Sequence, residues 1–138
     1  GIHFFDMLMW LFGPAQSMEL HIREKNRMGG FLELPNADVE WYLSLEPEDI
    51  PDNENNQQRT FRSIAVDGDE LEFSGGFTDL HTKVYRGVLD GKGYGLEDAR
   101  QAIEIVHDIR NADPIGLKGN YHPFAKKELI PHPFGSKK

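Results

Sequence analysis

The chain has 138 residues and a formal charge of −8, with 23 Asp and Glu against 15 Lys and Arg. That length fits one domain, and the acidic balance argues against binding a nucleic-acid backbone, which needs clustered cations. The absence of cysteine excludes disulfides, thiolate-bound zinc, iron–sulfur clusters and thiol nucleophiles, and no apolar run reaches the ~18–20 residues that cross a bilayer.

The first predicted element is a helix. Between Phe4 and Phe12 only Asp6 is polar, and the apolar side chains from Ile2 onward cover every side of a helical wheel. Such a helix must be covered on most faces, either in the core or by something outside this chain. It lacks the basic start and small-residue cleavage site of a secretory signal, so it reads as a buried helix whose own beginning precedes Gly1. Gly13-Pro14 ends it.

Ala15 to Arg23 alternates with period two, with Met18, Leu20 and Ile22 on one face and Glu19, His21 and Arg23 on a wet face. Asn26 to Gly30 reads as a turn, Phe31 to Leu34 as a short strand, and Pro35-Asn36 as another turn. Ala37 to Leu45 alternates again, with Val39, Trp41, Leu43 and Leu45 inward. Glu46 to Arg59 is a polar, exposed loop. Phe61 to Val66 and Glu70 to Phe73 flank Asp67-Gly68, a strong signal for a tight hairpin.

The period then becomes helical. Thr78 is placed to cap a helix whose Leu80, Val84 and Val88 share a face up to Gly91. A further helix is predicted from about Leu96 to Asn111, with Ala99, Ala102, Ile103, Val106 and Ile109 as its apolar stripe and Glu97-Asp98 in its first turn. The prolines of residues 120–138 forbid a long helix there, which predicts extended chain lying on a surface. One helix, about five strands joined mainly by short turns, then two helices predict an α+β fold with a mostly antiparallel sheet.

Several residues can carry chemistry. His3 and Asp6 share a helix face, where a histidine can transfer protons beside a carboxylate; the alternative is a capped helix start in which Asp6 satisfies an N–H inside a packed core. Arg62 can hold a carboxylate or phosphate through paired hydrogen bonds, or make a surface ion pair. His81 sits in a helix first turn, where an anion is favoured and Thr78 or Thr82 adds a hydroxyl; the alternative is a solvated histidine beside an ordinary cap. His21, His107, His122 and His132 show no metal-like spacing, and no metal site is expected. Gly91-Lys92-Gly93-Tyr94-Gly95 precedes a helix but also follows one and lacks the spacing of a dinucleotide fingerprint.

Gly1-Ile2-His3-Phe4-Phe5-Asp6, followed by an apolar helix and Gly13, resembles the G-x-H-x-x-D segment of the glucose–fructose oxidoreductase / inositol dehydrogenase / MocA (Gfo/Idh/MocA) family. Arg62-Ser63-Ile64, Asp67-Gly68, the run from Phe73 to Thr82 and Gly95 to Arg100 resemble its UDP-N-acetyl-glucosaminuronate 3-dehydrogenases of bacterial surface-polysaccharide (lipopolysaccharide, O-antigen) synthesis. The likeness spans about residues 1–112.

It implies the family's C-terminal domain: an open, mostly antiparallel sheet with helices on one face, the Rossmann domain absent. It implies His3 as catalytic and NAD as a cofactor held mainly by a domain this chain lacks, where a lysine partners the histidine; a charged nucleotide sugar on an acidic protein then needs a few placed donors, for which Arg62, Thr78 and His81 are the substrate-binding candidates. The expectation is therefore one substrate-binding and oligomerisation domain over 1–138, a fragment of a two-domain cytoplasmic enzyme and inactive alone. The parent oxidises a sugar hydroxyl, with a nucleotide sugar as substrate and self-association through the sheet face into a dimer or tetramer. Neither nucleic acid nor membrane is expected as a partner. The alternative is a non-catalytic sheet module for oligomerisation; a metal-dependent hydrolase using the six histidines is the third reading.

Overall fold

The structure, a computed structural model, describes residues 1–51, 60–75 and 79–128. Contacts divide the chain into two units, Gly1–Ser44 with Gln101–Lys138, and Leu45–Arg100.

The first unit holds helix α1 (Ile2–Phe12) and an antiparallel sheet of β1 (Ser17–Arg23), β2 (Arg27–Leu34) and β3 (Ala37–Ser44), in that order. The pairing sets Gly30 against Trp41, Leu32 against Val39 and Leu34 against Ala37, so these residues share the inner face. Phe5 of α1 meets the Trp41 ring edge-on at 5.2 Å. Phe5, Leu8 and Met9 are the buried side of α1, and Leu20, Leu32, Leu34 and Trp41 supply the sheet's share of the core. One side of α1 is open: Trp10 is 84% exposed, and Leu11 and Ile2 are exposed too, while Phe4, Met7 and Phe12 are half-buried.

Two glycines lie inside β2 and not in a turn as the sequence predicts; the chain reverses earlier, where the Glu24 N–H donates to the Arg27 carbonyl. The reason is steric. A Cβ on Gly30 would lie 2.7 Å from the Trp41 ring, which fills the space above the glycine. Opposite Gly29-Gly30, β1 carries a bulge between Leu20 and Ile22. The bulge breaks the predicted alternation: His21 becomes buried, Ile22 moves to the outer face beside Tyr42, and Arg23 pairs across from Met28.

Arg23 then donates from one guanidinium nitrogen to the carbonyls of Ile109, Arg110 and Ala112, at 2.8, 2.8 and 2.7 Å. These belong to the C-terminal end of helix α3 (Leu96–Asn111) and the residue after it, where carbonyls lack intrahelical partners. The buried stripe of α3 is Ala102, Ile105 and Ile109; Ile103, predicted inward, is exposed on the flank. Beyond α3 the chain runs along β1, with the Ile115 and Gly116 N–H groups donating to the Leu20 and His21 carbonyls.

The second unit contains a hairpin of β4 (Ser63–Val66) and β5 (Asp69–Glu72), helix α2 (Leu80–Leu89) and the first turn of α3. Asp67 and Gly68 both take positive φ, 52° and 93°, the backbone that a two-residue Asp-Gly hairpin turn requires. Among the described residues the five strands form two sheets, of three and two strands, and not one. Alternation identifies strands but not their partners, and nothing in the pattern of β3 or β4 specifies pairing across the polar run between them. Leu45, predicted inward, lies past the end of β3 and is exposed.

Candidate functional site

Helix α1 starts tightly, with the Phe4 N–H donating to the Gly1 carbonyl at 3.0 Å. His3 and Asp6 lie on its exposed side, and neither side chain bonds to another described residue. This corrects the reading of Asp6 as a cap inside a packed core. The helix has no side-chain cap, and a carboxylate in water has no need of one. His3 presents an imidazole whose ring nitrogens are open to a ligand, as a proton-transfer group requires.

Arg62, half-buried, immediately precedes β4. Its N–H donates to the Ser74 hydroxyl at 2.8 Å, and its carbonyl accepts from the Phe73 N–H at 2.9 Å. Its guanidinium reaches the Ser74 carbonyl at 3.5 Å, so backbone pairing and side chain together lay the arm along the base of the hairpin. His81 is exposed in the first turn of α2. The residue that begins α2 is Asp79, in left-handed backbone and with no side-chain cap bond; Thr78, the predicted cap and substrate contact, lies outside the described residues. Within that first turn no side chain is acidic, but the Asp79 carboxylate stands at the N-cap itself, where an incoming anion would meet it. His3 belongs to the first unit, and Arg62 and His81 to the second.

The glycine run before α3 is not a phosphate cradle. The Lys92 N–H donates to the Gly87 carbonyl at 2.8 Å, closing α2, and the Gly95 N–H donates to the Asp98 carboxylate at 2.6 Å. A carboxylate already occupies the position a phosphate would take. Among the described residues nothing else offers a strand–turn–helix for a dinucleotide diphosphate, and no three His, Asp or Glu side chains are placed to hold a metal. No described helix is long and apolar enough to cross a membrane.

The outer face of the three-stranded sheet holds polar groups that alternation alone missed. Arg27 is buried and pairs with Glu24 at 2.6 Å, while donating to the Lys127 carbonyl at 2.8 Å. Burial works against its charge, but the Glu24 carboxylate and Tyr42 outweigh it and hold the guanidinium protonated. His21 is 1% exposed, and among the described residues neither ring nitrogen has a hydrogen-bond partner; the Glu19 carboxylate lies 3.5 Å from Nε2. The signal available in the sequence was Gly29-Gly30, since glycines inside a strand often mark a bulge opposite or a close approach.

Residues 1–50 match the oxidoreductase-family C-terminal alpha/beta domain, Gfo/Idh/MocA type. A solved structure of the WlbA (WbpB) dehydrogenase from Thermus thermophilus, in complex with NAD and alpha-ketoglutarate, is 50% identical. That match covers 90% of this chain and 41% of that one, with a TM-score of 0.83. A second structure of that dehydrogenase, with NAD and UDP-GlcNAcA, is 47% identical over 90% of this chain and 40% of that one, with a TM-score of 0.82. The chain thus spans about two-fifths of the length of the dehydrogenase it matches.

Proposed function

We propose that this chain, which belongs to the Gfo/Idh/MocA oxidoreductase family through its C-terminal alpha/beta domain, is the substrate-side portion of an NAD-dependent dehydrogenase acting on a nucleotide-sugar uronate. The reaction is oxidation of a secondary hydroxyl, the 3-hydroxyl of UDP-N-acetyl-glucosaminuronate. One observation carries this reading: 47% identity, over nine-tenths of this chain, to a dehydrogenase crystallised with NAD and UDP-GlcNAcA.

NAD, when bound, supplies the hydride acceptor. The described residues of this chain offer its diphosphate no cradle, so the reading assigns cofactor binding to a further domain of the same enzyme, with residues 1–138 forming one substrate-binding and oligomerisation domain. This chain's own part is to hold the sugar and to take the hydroxyl proton. His3 is the base, since its ring is exposed and unpaired among the described residues and a neutral imidazole accepts a proton near pH 7. The substrate carries a diphosphate and a carboxylate, which a protein of charge −8 must bind with a few placed donors. Arg62, Thr78 and His81 are assigned that role, Arg62 by bidentate hydrogen bonding, His81 in a helix first turn and Thr78 through its hydroxyl.

The same reading includes self-association, as a dimer or tetramer, through the outer sheet face, where Phe31 and Tyr42 keep partly exposed aromatic surface. The setting is surface-polysaccharide (lipopolysaccharide, O-antigen) synthesis in the cytoplasm.

The test is NADH formation from NAD and UDP-GlcNAcA by the enzyme that carries this chain, comparing wild type with His3→Asn. Asparagine keeps the polarity but cannot act as a base. The expected outcome is a loss of about 10²-fold or more in kcat with near-normal KM, the pattern of an interaction made chiefly in the transition state. Turnover close to wild type, with an unchanged thermal melt, rejects His3 as the base; absence of turnover in the wild type rejects the substrate.

A further inference from the structure

After α3 the chain turns at Gly116 and Gly119, both at positive φ, and crosses to the outer face of the three-stranded sheet. Tyr121 packs edge-on against buried His21, with ring centroids 6.0 Å apart. His122 stacks on Tyr42 at 5.5 Å with the planes 16° apart. Phe124 meets both rings edge-on, Ala125 is buried, and the Lys127 carbonyl accepts from Arg27. This strap is short of regular hydrogen bonds, having a single 3-10 turn at Pro123–Lys126.

His122 starts that turn in an unusual way. Its Nδ1 accepts the Phe124 N–H at 3.2 Å, so the ring caps the turn as an acceptor. An imidazole nitrogen accepts only while it carries no proton, and in imidazolium both nitrogens are donors. A proton at Nδ1 therefore replaces the cap bond by two opposed N–H groups and places a charge in the stack on Tyr42.

We propose that residues 120–128 form a proton-operated strap, which neutral His122 locks onto the outer sheet face and protonated His122 releases, uncovering Tyr42 and His21. This inference concerns the strap alone and does not rest on the proposed enzymatic reaction.

The charges around His122 set the direction. On β3, Glu40 favours the imidazolium; within the strap, Lys126 and Lys127 sit over Tyr121 and Phe124; on β2, charged Arg27 is held by Glu24; on β1, Glu19 lies by His21. Desolvation outweighs Glu40 and lowers the His122 pKa below its ordinary 6.5. The released strap then binds more protons than the docked one below that pH, so falling pH favours release.

Hydrogen–deuterium exchange of the full chain, corrected for intrinsic rates, tests this at pH 7.5 and at about pH 5, below the free histidine pKa. Protection of the Phe124 and Ala125 amides is expected to fall at least about ten-fold at the lower pH, while β2 amides stay protected. His122→Asn keeps a cap acceptor that does not titrate and should hold the strap at both pH values; His21→Phe should leave the wild-type pH response in place. The proposal is overturned by equal strap protection at both pH values in the wild type, by an equal loss in His122→Asn, by loss of the response in His21→Phe, or by simultaneous loss in β2.

Discussion

Gly30 shows how one missing side chain can fix a sheet. It pairs with Trp41, whose ring takes the place a Cβ would occupy, and the Glu19 carbonyl closes the same space from β1. Gly30→Ala must displace both a core aromatic and a neighbouring main chain. The expected cost is about 3 kcal/mol, at the upper end for overpacking, read from urea denaturation. Adding Trp41→Phe should not restore stability, because the clash with the Glu19 main chain remains. Recovery in that double variant would place the constraint in the Trp41 ring alone.

Among the elements, α3 depends on a residue 86 positions away for the end of its hydrogen-bond ladder. Arg23 brings a full positive charge to carbonyls that carry the negative end of the helix dipole, and it reaches them because the bulge at His21 shifts its phase. Arg23→Ala should lower stability by about 1–3 kcal/mol, with exchange protection lost first in the last turn of α3. Arg23→Lys keeps the charge and a single donating nitrogen but on a stem one bond shorter, and should recover only part of the difference. An unchanged denaturation midpoint in Arg23→Ala would show that water satisfies those carbonyls equally well.

At the scale of the whole molecule, the outer sheet face carries Glu19, Glu33, Asp38 and Glu40 in register with Phe31 and Tyr42. Two copies joined through such a face bring like charges together while burying aromatic surface. Self-association should therefore strengthen as salt rises from low ionic strength to about 0.5 M, where the Debye length falls to a few Å. Sedimentation velocity across that range checks it; a monomer at every salt concentration rejects the face as an interface.

The sequence by itself marked most of the elements and carried the family resemblance. Period two marked β1 and β3, Asp67-Gly68 marked the hairpin, and Gly1 to Asp6 carried the resemblance, because these signals are local and need no partner. His3, Arg62 and His81 were legible as residue types suited to proton transfer and anion binding. What the side chains meet was decided only in three dimensions. The bulge that buries His21 and turns Arg23 toward α3 depends on two glycines in another strand, and the division into two sheets depends on which strand pairs with which. The stacking of His122 depends on Tyr42 lying beneath it. Each is a contact between distant positions, which periodicity along one segment cannot encode.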